Sequence, residues 1–178
     1  VSVLTLALLI GAYSCSSGDS SGDLNSLTAQ EKSEGWELLF DGNSMDEWRG
    51  LGRDQIPEGH WTIEDNAIKK IASGDVPRQP DGQPVEGGDI LTKKTYKNFE
   101  LSFEWRISEG GNSGLKYNVS EEISTNNGGR YSALGFEYQI IDDAGYPGNL
   151  KETQKAGALY DLIPPGGNKT LKPVGEYN

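Results

Sequence analysis

The sequence contains one cysteine, Cys15, and one histidine, His60, among its 178 residues. A single cysteine cannot form a disulfide within the chain, and the two residues together cannot build a zinc site of the Cys/His type. His60, beside Trp61, has a pKa suited to a base, whereas its place before the first predicted hairpin favours a structural role. Acid–base chemistry would therefore fall mainly to carboxylates, Tyr, Lys or Arg. Oxygen ligands are plentiful, so the sequence leaves open whether a divalent cation is required as a cofactor.

Positive charge and apolar residues are also scarce. Lys and Arg number 16 against 27 Asp and Glu, and the formal net charge is −11. A protein that grips phosphates needs clustered basic residues, so this balance argues against nucleic acid as a partner. Hydrophobic residues make up only 34%, while there are 24 glycines. Such a composition favours short strands joined by glycine-rich turns over a helical bundle.

The longest apolar run lies at the N-terminus, in residues 1–13. It is shorter than the roughly 20 residues that a membrane-spanning helix needs, and it matches the core of a secretory signal. The sequence Ala-Tyr-Ser-Cys that ends at Cys15 resembles a bacterial lipobox, in which this cysteine is lipidated; an incidental cysteine after a plain signal peptide is the alternative. Residues 16–33 are rich in Ser, Gly and Asp, which predicts a flexible tether.

These observations predict three segments. Residues 1–14 form a signal segment, residues 15–33 a lipidated cysteine with its tether, and residues 34–178 a folded domain. The protein would then be lipid-anchored in a bacterial cell envelope, in the periplasm or at the outer membrane, with the membrane as a partner.

Strict alternation of apolar and polar residues predicts a central strand at Phe99–Ile107. One face of this strand is apolar, and the other carries Glu104 and Arg106. The sequence EGGNSG then predicts a sharp corner, and GLKYNVS a return strand. The sequence LGFEYQIIDD predicts another strand, whose polar face carries Glu137 and Gln139.

The rest of the chain favours further short strands and long loops. A hairpin is predicted at Asp65-Asn66, a short strand at residues 36–40, another at 156–163, and a long loop at 72–88. No helix of more than ten residues is expected. The fold class is therefore all-β, an antiparallel β-sandwich or jelly roll. The last residues head into a strand with no closing strands behind it, so we expect the natural chain to continue beyond Asn178.

Five stretches carry a family resemblance in sequence order: GWELLFDGNSMDEW, DILTKKTYKNFELSFEWRISEGGNSGLKY, GFEYQIIDD, AGALYDLIPP and KPVGEYN. From residue 35 onward the chain resembles the 3-keto-disaccharide hydrolase domain family. The resemblance implies a concanavalin-like jelly roll, a carbohydrate substrate, and cleavage of glycosides whose sugar has been oxidised to a ketone at C3.

The chemistry of such a substrate sets the groups that a site must supply. A ketone at C3 acidifies the hydrogen on C2, so a base can form an enolate, the group on C1 departs by β-elimination, and water then adds. The site needs a base, a stabiliser for the enolate oxygen and an acid for the leaving oxygen. It does not need the spaced carboxylate pair of ordinary glycosidases.

Three residues are predicted to be catalytic. A Glu of the polar patch, Glu137 or Glu104, is the candidate base, and Arg106 could hold the enolate or form an ion pair with Glu104 or Glu137. If their strands are neighbours, Glu104, Arg106, Glu137 and Gln139 form one polar patch; a solvated face is the alternative.

The predicted substrate-binding residues each have a second interpretation. Asn112 and Ser113 could bind sugar or serve as turn residues, and Lys116 could join the polar patch. Asp142 could bind a sugar hydroxyl or cap a turn, and Tyr160 could stack on sugar, donate a proton or pack in the core. The full predicted substrate-binding set is Asn112, Ser113, Lys116, Gln139, Asp142 and Tyr160.

A non-catalytic carbohydrate-binding lipoprotein module is the alternative function, because it would share the fold and the polar face and would use the 4 Trp and 8 Tyr for stacking. A retaining glycosidase of the laminarinase type needs a Glu-x-Asp-x-x-Glu strand, and the GFEYQIID stretch lacks it.

Overall fold

The structure is a computed structural model that describes residues 24–72, 74–76, 88–126 and 132–178. Within these ranges the chain forms three antiparallel strand pairs, β1 with β4, β2 with β3, and β5 with β6. The strands are β1 Trp48–Gly50, β2 Trp61–Glu64, β3 Ala67–Lys70, β4 Ile90–Thr92, β5 Asn112–Tyr117 and β6 Phe136–Ile141. Two short helices, α1 Ala29–Glu34 and α2 Glu121–Thr125, and a 3₁₀ turn at Glu152–Gln154 complete the regular elements. The all-β, antiparallel prediction is confirmed.

The hairpin of β2 and β3 turns at the predicted dipeptide. Asp65 and Asn66 both have positive φ, 52° and 56°, as a two-residue turn of type I′ requires. Asn and Asp tolerate this conformation better than other non-glycine residues, so the local sequence determines where the strands reverse. The register pairs Ile63 with Ile68 and Trp61 with Lys70.

The predicted short strand at residues 36–40 is wrong, and the segment is held by other contacts. Trp48 donates its indole N–H to the carbonyl of Leu39 at 2.7 Å. Asp41 accepts the backbone N–H groups of Asn43 and Ser44 through Oδ1, both at 2.8 Å, which closes a turn. Residues 36–40 join none of the strand pairs of the described chain; instead the next segment, β1, pairs with β4.

The predicted central strand at residues 99–107 belongs to none of the described strand pairs. Among the described residues, its backbone pairs with the last part of the chain, where Trp105 and Asn178 exchange N–H···O bonds at 3.2 and 2.8 Å and the Gly175 N–H donates to Ile107. Phe103 packs edge-on against Tyr138 with ring centroids 5.7 Å apart, but Phe99, Leu101 and Phe103 remain exposed. An alternating pattern marks the apolar side of a segment, whereas a ladder also needs a neighbouring strand along the whole segment.

Strands β5 and β6 form the longest pair, and their register determines the surface described below. Lys116 lies opposite Glu137, Gly114 opposite Gln139, and Asn112 opposite Ile141. These residues share one face because side chains alternate along a strand. The opposite face is apolar and carries Leu115, Tyr117, Phe136 and Tyr138.

The corner before β5 is tighter than the sequence suggests. The Gly111 N–H donates to Ser108 at 2.9 Å, and Gly110 adopts a φ of 64°. The reversal is thus complete before Asn112. Asn112 and Ser113, which the sequence places in the corner, lie in β5 instead.

Both helices occur where the sequence predicts irregular chain. Helix α1 lies inside the predicted tether: Thr28 and Glu31 form a capping box, and Gly35 ends the helix with a φ of 88°. Asn25 also donates to the carbonyl of Asn66 at 2.8 Å, so chain before residue 34 already contacts the domain.

Helix α2 follows the N-cap Ser120 and is tied to β1. Arg49 donates both of its terminal nitrogens to the Glu121 carboxylate, at 2.5 and 2.6 Å. The Gly52 N–H donates to the same carboxylate at 2.8 Å, so one side chain connects the helix to the strand and to the turn after it.

Several predictions fall outside the described residues. These are the signal segment, the lipidated Cys15 and most of the long loop, and the envelope localisation that follows from Cys15 stays a prediction. In the described ranges, no helix combines the length and the apolar character that crossing a membrane would demand.

Asn66 offers a test of the hairpin turn. We expect Asn66→Val to lower the free energy of unfolding by about 1–2 kcal/mol, because a β-branched residue is strained at positive φ. The matched change Asn66→Gly should cost nothing or stabilise the protein slightly, since glycine adopts this conformation freely. Urea unfolding followed by tryptophan fluorescence measures both. Equal stabilities of the two variants would contradict the assigned turn.

Candidate functional site

The polar face of β5 and β6 holds the largest group of sequence-predicted site residues. Lys116 and Glu137 are directly opposed in the register, and Gln139 follows two residues along β6. Directly opposed side chains on one face lie about 5 Å apart at Cβ, within reach of each other's charged ends. The structure therefore brings Lys116 to Glu137 and Gln139, as the sequence predicts for a member of the polar patch. Asn112, which the sequence places in the corner, lies on the same face.

Glu137 lies flat over β5 because residue 114 has no side chain. A Cβ atom at Gly114 would stand 2.0 Å from Glu137 Oε1, far inside contact distance. The absence of a side chain thus creates the space that the carboxylate occupies. The Glu137 side chain is 24% exposed, so solvent still reaches it.

Lys116 lies between two carboxylates. Its Nζ is 3.9 Å from Oε2 of Glu137 and 4.0 Å from Oδ2 of Asp89. We call Glu137, Lys116 and Asp89 the Glu137 cluster. Asp89 stands one residue before β4, and its Oδ2 also accepts the Ala133 N–H at 2.7 Å.

Asp89 was missed by the sequence analysis. Its one available signal was position, since it is the carboxylate that opens the family-resembling stretch DILTKK after a long glycine- and proline-rich loop.

Burial determines the acid–base character of the cluster. Loss of solvent raises the pKa of Glu137 above its ordinary value; the charge of Lys116 opposes this rise and that of Asp89 adds to it. A carboxylate with a raised pKa is a stronger base than an ordinary surface carboxylate once it is ionised. The arrangement can therefore remove a proton from a carbon acid and hold the developing negative charge beside an ammonium group.

A second lysine lies close to this cluster. Lys70 Nζ is 3.5 Å from Nδ1 of the buried His60 and donates to the Ile71 carbonyl at 3.0 Å. Burial lowers the pKa of Lys70, and the charge of Asp89 opposes that effect. His60 is thus enclosed in the wall beside the cluster, in keeping with a structural role.

Gln139 belongs to the wall of the site. It is only 2% exposed. Its amide N–H₂ donates to Asn112 Oδ1 at 3.4 Å and to the Gln154 carbonyl at 3.3 Å, which links β5 to the 3₁₀ turn. Its Oε1 is buried without a hydrogen-bond partner among the described residues.

Glu104 and Arg106 lie apart from the Glu137 cluster. Arg106 donates to Asp65 Oδ2 at 2.9 Å and stacks over the Tyr177 ring at 5.1 Å. Within the described ranges, no hydrogen bond or ion pair joins Glu104 or Arg106 to Glu137 or Gln139. The structure thus divides the predicted polar patch in two, and the catalytic roles of Glu104 and Arg106 stay predictions without a geometric link to Glu137.

Asp142 closes two turns at the end of β6. Its Oδ2 accepts the Gly110 N–H at 2.9 Å and its Oδ1 the Ala144 N–H at 3.1 Å. Hydrogen bonds from the backbone, first from Gly110 and then from Gly145, lower the pKa of Asp142. The sequence left open whether Asp142 binds a sugar hydroxyl or caps a turn, and these contacts are those of a turn cap.

Tyr160 and Ser113 complete the predicted set. Tyr160 is 39% exposed, so core packing does not account for it. Its N–H donates to the Glu137 carbonyl at 2.9 Å, which holds the two residues side by side. Ser113 pairs with Ile140 and so lies on the face opposite to Glu137.

In the part of the chain that the structure describes, no group of three His, Cys, Asp or Glu residues is placed to hold a metal ion.

Comparison with known proteins gives matches of three kinds: a family model, a named relative and solved structures. Residues 35–178 match the model of a family described as the 3-keto-alpha-glucoside-1,2-lyase-like domain. The chain is similar to the 3-keto-disaccharide hydrolase of Bacteroides thetaiotaomicron, with 36% identity over 176 residues that cover 94% of this chain and 58% of the relative. It is also similar to the crystal structure of a candidate glycosyl hydrolase from Parabacteroides distasonis, with 32% identity, a TM-score of 0.70, and coverage of 86% of this chain and 66% of that one. The chain thus spans less than the full length of either relative.

Gly114 gives a test of how Glu137 is held. In Gly114→Ala the new methyl group should push the Glu137 carboxyl out towards solvent, so the pKa of Glu137 should fall towards its ordinary value. Because a flexible side chain gives way, the free energy of unfolding should stay within about 1 kcal/mol of wild type. NMR titration and urea unfolding measure the two quantities. Gly167→Ala is the control, because a Cβ there meets nothing within 4 Å; identical titration of Glu137 in all three proteins would contradict the packing.

The raised pKa of Glu137 predicts that the stability of the fold depends on pH. Its pKa is raised in the folded state, so the ionised carboxyl disfavours folding above the unfolded pKa of about 4.3. Glu137→Gln should therefore raise the melting temperature most at pH 8, and the gain should shrink as the pH falls towards 4. Thermal unfolding at pH 8, 6 and 4 checks this, with the exposed Glu64→Gln as the matched control. A loss of stability at pH 8 would contradict a raised pKa.

Proposed function

The chain belongs to the 3-keto-alpha-glucoside-1,2-lyase-like domain family, and from this premise we propose that it cleaves glycosides whose sugar carries a ketone at C3. The family description names a lyase acting across C1 and C2, which is the bond that an elimination acts on. The relative from Bacteroides thetaiotaomicron is named for hydrolysis of a 3-keto disaccharide. Elimination followed by addition of water gives net hydrolysis, so one sequence of steps accommodates both descriptions.

One observation carries the proposal: a half-buried carboxylate with a raised pKa lies beside an ammonium group on an open polar face. Glu137 is the base. Its carboxylate takes the proton from C2, and the electron pair of the C2–H bond moves into the C2–C3 bond while the ketone becomes an enolate. The reaction needs no second carboxylate on the opposite side of the ring, unlike direct displacement at C1.

Lys116 stabilises the enolate. Its Nζ lies 3.9 Å from the base, so it can donate to the C3 oxygen of a sugar whose C2 faces Glu137. An ammonium fixed in place before the reaction lowers the free energy of the negative charge that develops there. Lys116 thus takes the role for which the sequence offered Arg106, which lies beside the hairpin turn instead.

The remaining steps return the protein to its starting state. The enolate collapses, the C1–O bond breaks, and the leaving oxygen takes a proton, which gives an enone with a double bond between C1 and C2. Water then adds its hydroxyl group to C1 and gives its remaining proton to the group that protonated the leaving oxygen, while C2 regains a proton from Glu137. Tyr160, held next to Glu137 through its N–H, is the candidate donor to the leaving oxygen or a stacking partner for the sugar.

Cleavage of a 3-keto disaccharide, with its unoxidised parent in parallel, tests the proposal on the full chain. We expect sugar release from the keto compound only, and exchange of the C2 hydrogen for deuterium in heavy water. Glu137→Gln should lower kcat by about 10²–10⁴-fold, the usual contribution of a general base, and should abolish the exchange. Glu64→Gln, which removes an exposed carboxylate on β2, should leave both unchanged.

Two outcomes would contradict the proposal. Binding of both sugars without release from either would identify a carbohydrate-binding module in place of an enzyme. Full turnover in Glu137→Gln would remove Glu137 as the base.

A further inference from the structure

One member of the Glu137 cluster has no part in the proposed reaction. Asp89 is held from two sides: Oδ2 accepts the N–H of the buried Ala133 at 2.7 Å, and its carbonyl accepts the N–H of the buried Leu51 at 3.1 Å. The first bond holds the carboxylate, and the second holds the main chain that carries it. Asp89 is therefore a negative charge held in place at the edge of the cluster.

This charge divides the attraction of Lys116 between two carboxylates. The distances from Nζ to Asp89 and to Glu137 are 4.0 and 3.9 Å, so the ammonium is nearly equidistant from the two oxygens. Both distances exceed a direct hydrogen bond. It follows that Lys116 is shared between the two groups and tightly paired with neither.

We infer that Asp89 is a positioning residue, which holds the Lys116 ammonium away from Glu137 and so keeps the carboxylate free to accept a proton. The inference rests on the proposed function, because it assigns a role in that reaction. A tight Lys116–Glu137 ion pair would occupy both the base and the enolate stabiliser. Asp89 prevents the two side chains from forming this pair, and so leaves a gap in which C2 and the C3 oxygen of a substrate can lie.

The charges around Glu137 support the same reading. Lys116 faces it from β5, and Asp89 from the residue before β4. Asp89 also acts on Lys70, which lies on β3 beside His60. Asp89 is the negative member of this group, so its charge works with burial to raise the pKa of Glu137. The position of Lys116 and the basicity of Glu137 therefore depend on the same residue.

The test is Asp89→Asn, which keeps an acceptor for the Ala133 N–H and removes the charge. NMR titration reports the pKa of Glu137, its carboxyl resonance being identified by its absence in Glu137→Gln. The two carboxylate oxygens lie within about 8 Å of each other. A unit charge at about that distance changes the pKa of a neighbouring group by roughly 0.4 pH units at an effective dielectric constant of 80 and by roughly 1.5 at 20. We expect the pKa of Glu137 to fall by that amount in Asp89→Asn. The acid limb of the pH profile of kcat/KM should move to lower pH with it. Asp89→Glu should restore both.

Asp143→Asn is the matched control. Asp143 also accepts the N–H of a buried alanine, Ala156 at 2.8 Å, and pairs with a lysine, Lys169, but it lies beyond the other end of β6. This variant should leave the titration of Glu137 unchanged. If Asp89→Asn behaves like Asp143→Asn, the inference is overturned.

The readout is independent of substrate. A protein that cleaves no keto sugar would disprove the proposed function, while the titration of Glu137 would still decide the role of Asp89. If Asp89→Asn does not fold, NMR titration of Glu137 in Lys116→Met tests the shared-lysine arrangement. Loss of the ammonium should raise the pKa of Glu137, and an unchanged pKa would overturn the shared-lysine arrangement.

Discussion

The register of β5 against β6 is the constraint on which the candidate site depends. It places Lys116 opposite Glu137 and Gly114 beneath the Glu137 carboxylate. A shift by one residue would turn each of these side chains to the other face, where Tyr138 and Phe103 pack together. The aromatic contacts on one face thus stabilise the register that the polar face requires.

The two halves of the predicted polar patch make separate contacts. Arg106 connects the segment before β5 to the β2–β3 hairpin through Asp65, and its stacking on Tyr177 extends this contact to the last residues. Lys116, in contrast, forms its ion pairs among the described residues with Asp89, just before β4, and with Glu137 on β6. A guanidinium with a fixed fork of donors suits the structural connection, and a compact ammonium suits a site where charge must develop.

The sequence predicted what depends on local pattern. Alternation identified β6 and the common face of Glu137 and Gln139, and the Asp65-Asn66 dipeptide located the hairpin. The capping box of Thr28 and Glu31 was also present in the sequence, although the helix that it starts was not predicted. Asp89 and the partner of Arg106 could not be found in this way, because each contact joins residues far apart in the chain. The segment at residues 99–107 has the pattern of a strand, but pairing depends on a neighbour that its own sequence does not encode.

The connection between β5 and β6 also has a consequence for folding kinetics. The β2–β3 hairpin closes over two residues, so it can form in the first microseconds from local contacts alone. The strands β5 and β6 meet only after the chain between them, including α2, has been brought around, and Asp89 arrives from yet further away. We therefore expect the Glu137 cluster to be among the last of the described parts to assemble, so a chain trapped early in folding would contain a formed hairpin without this cluster.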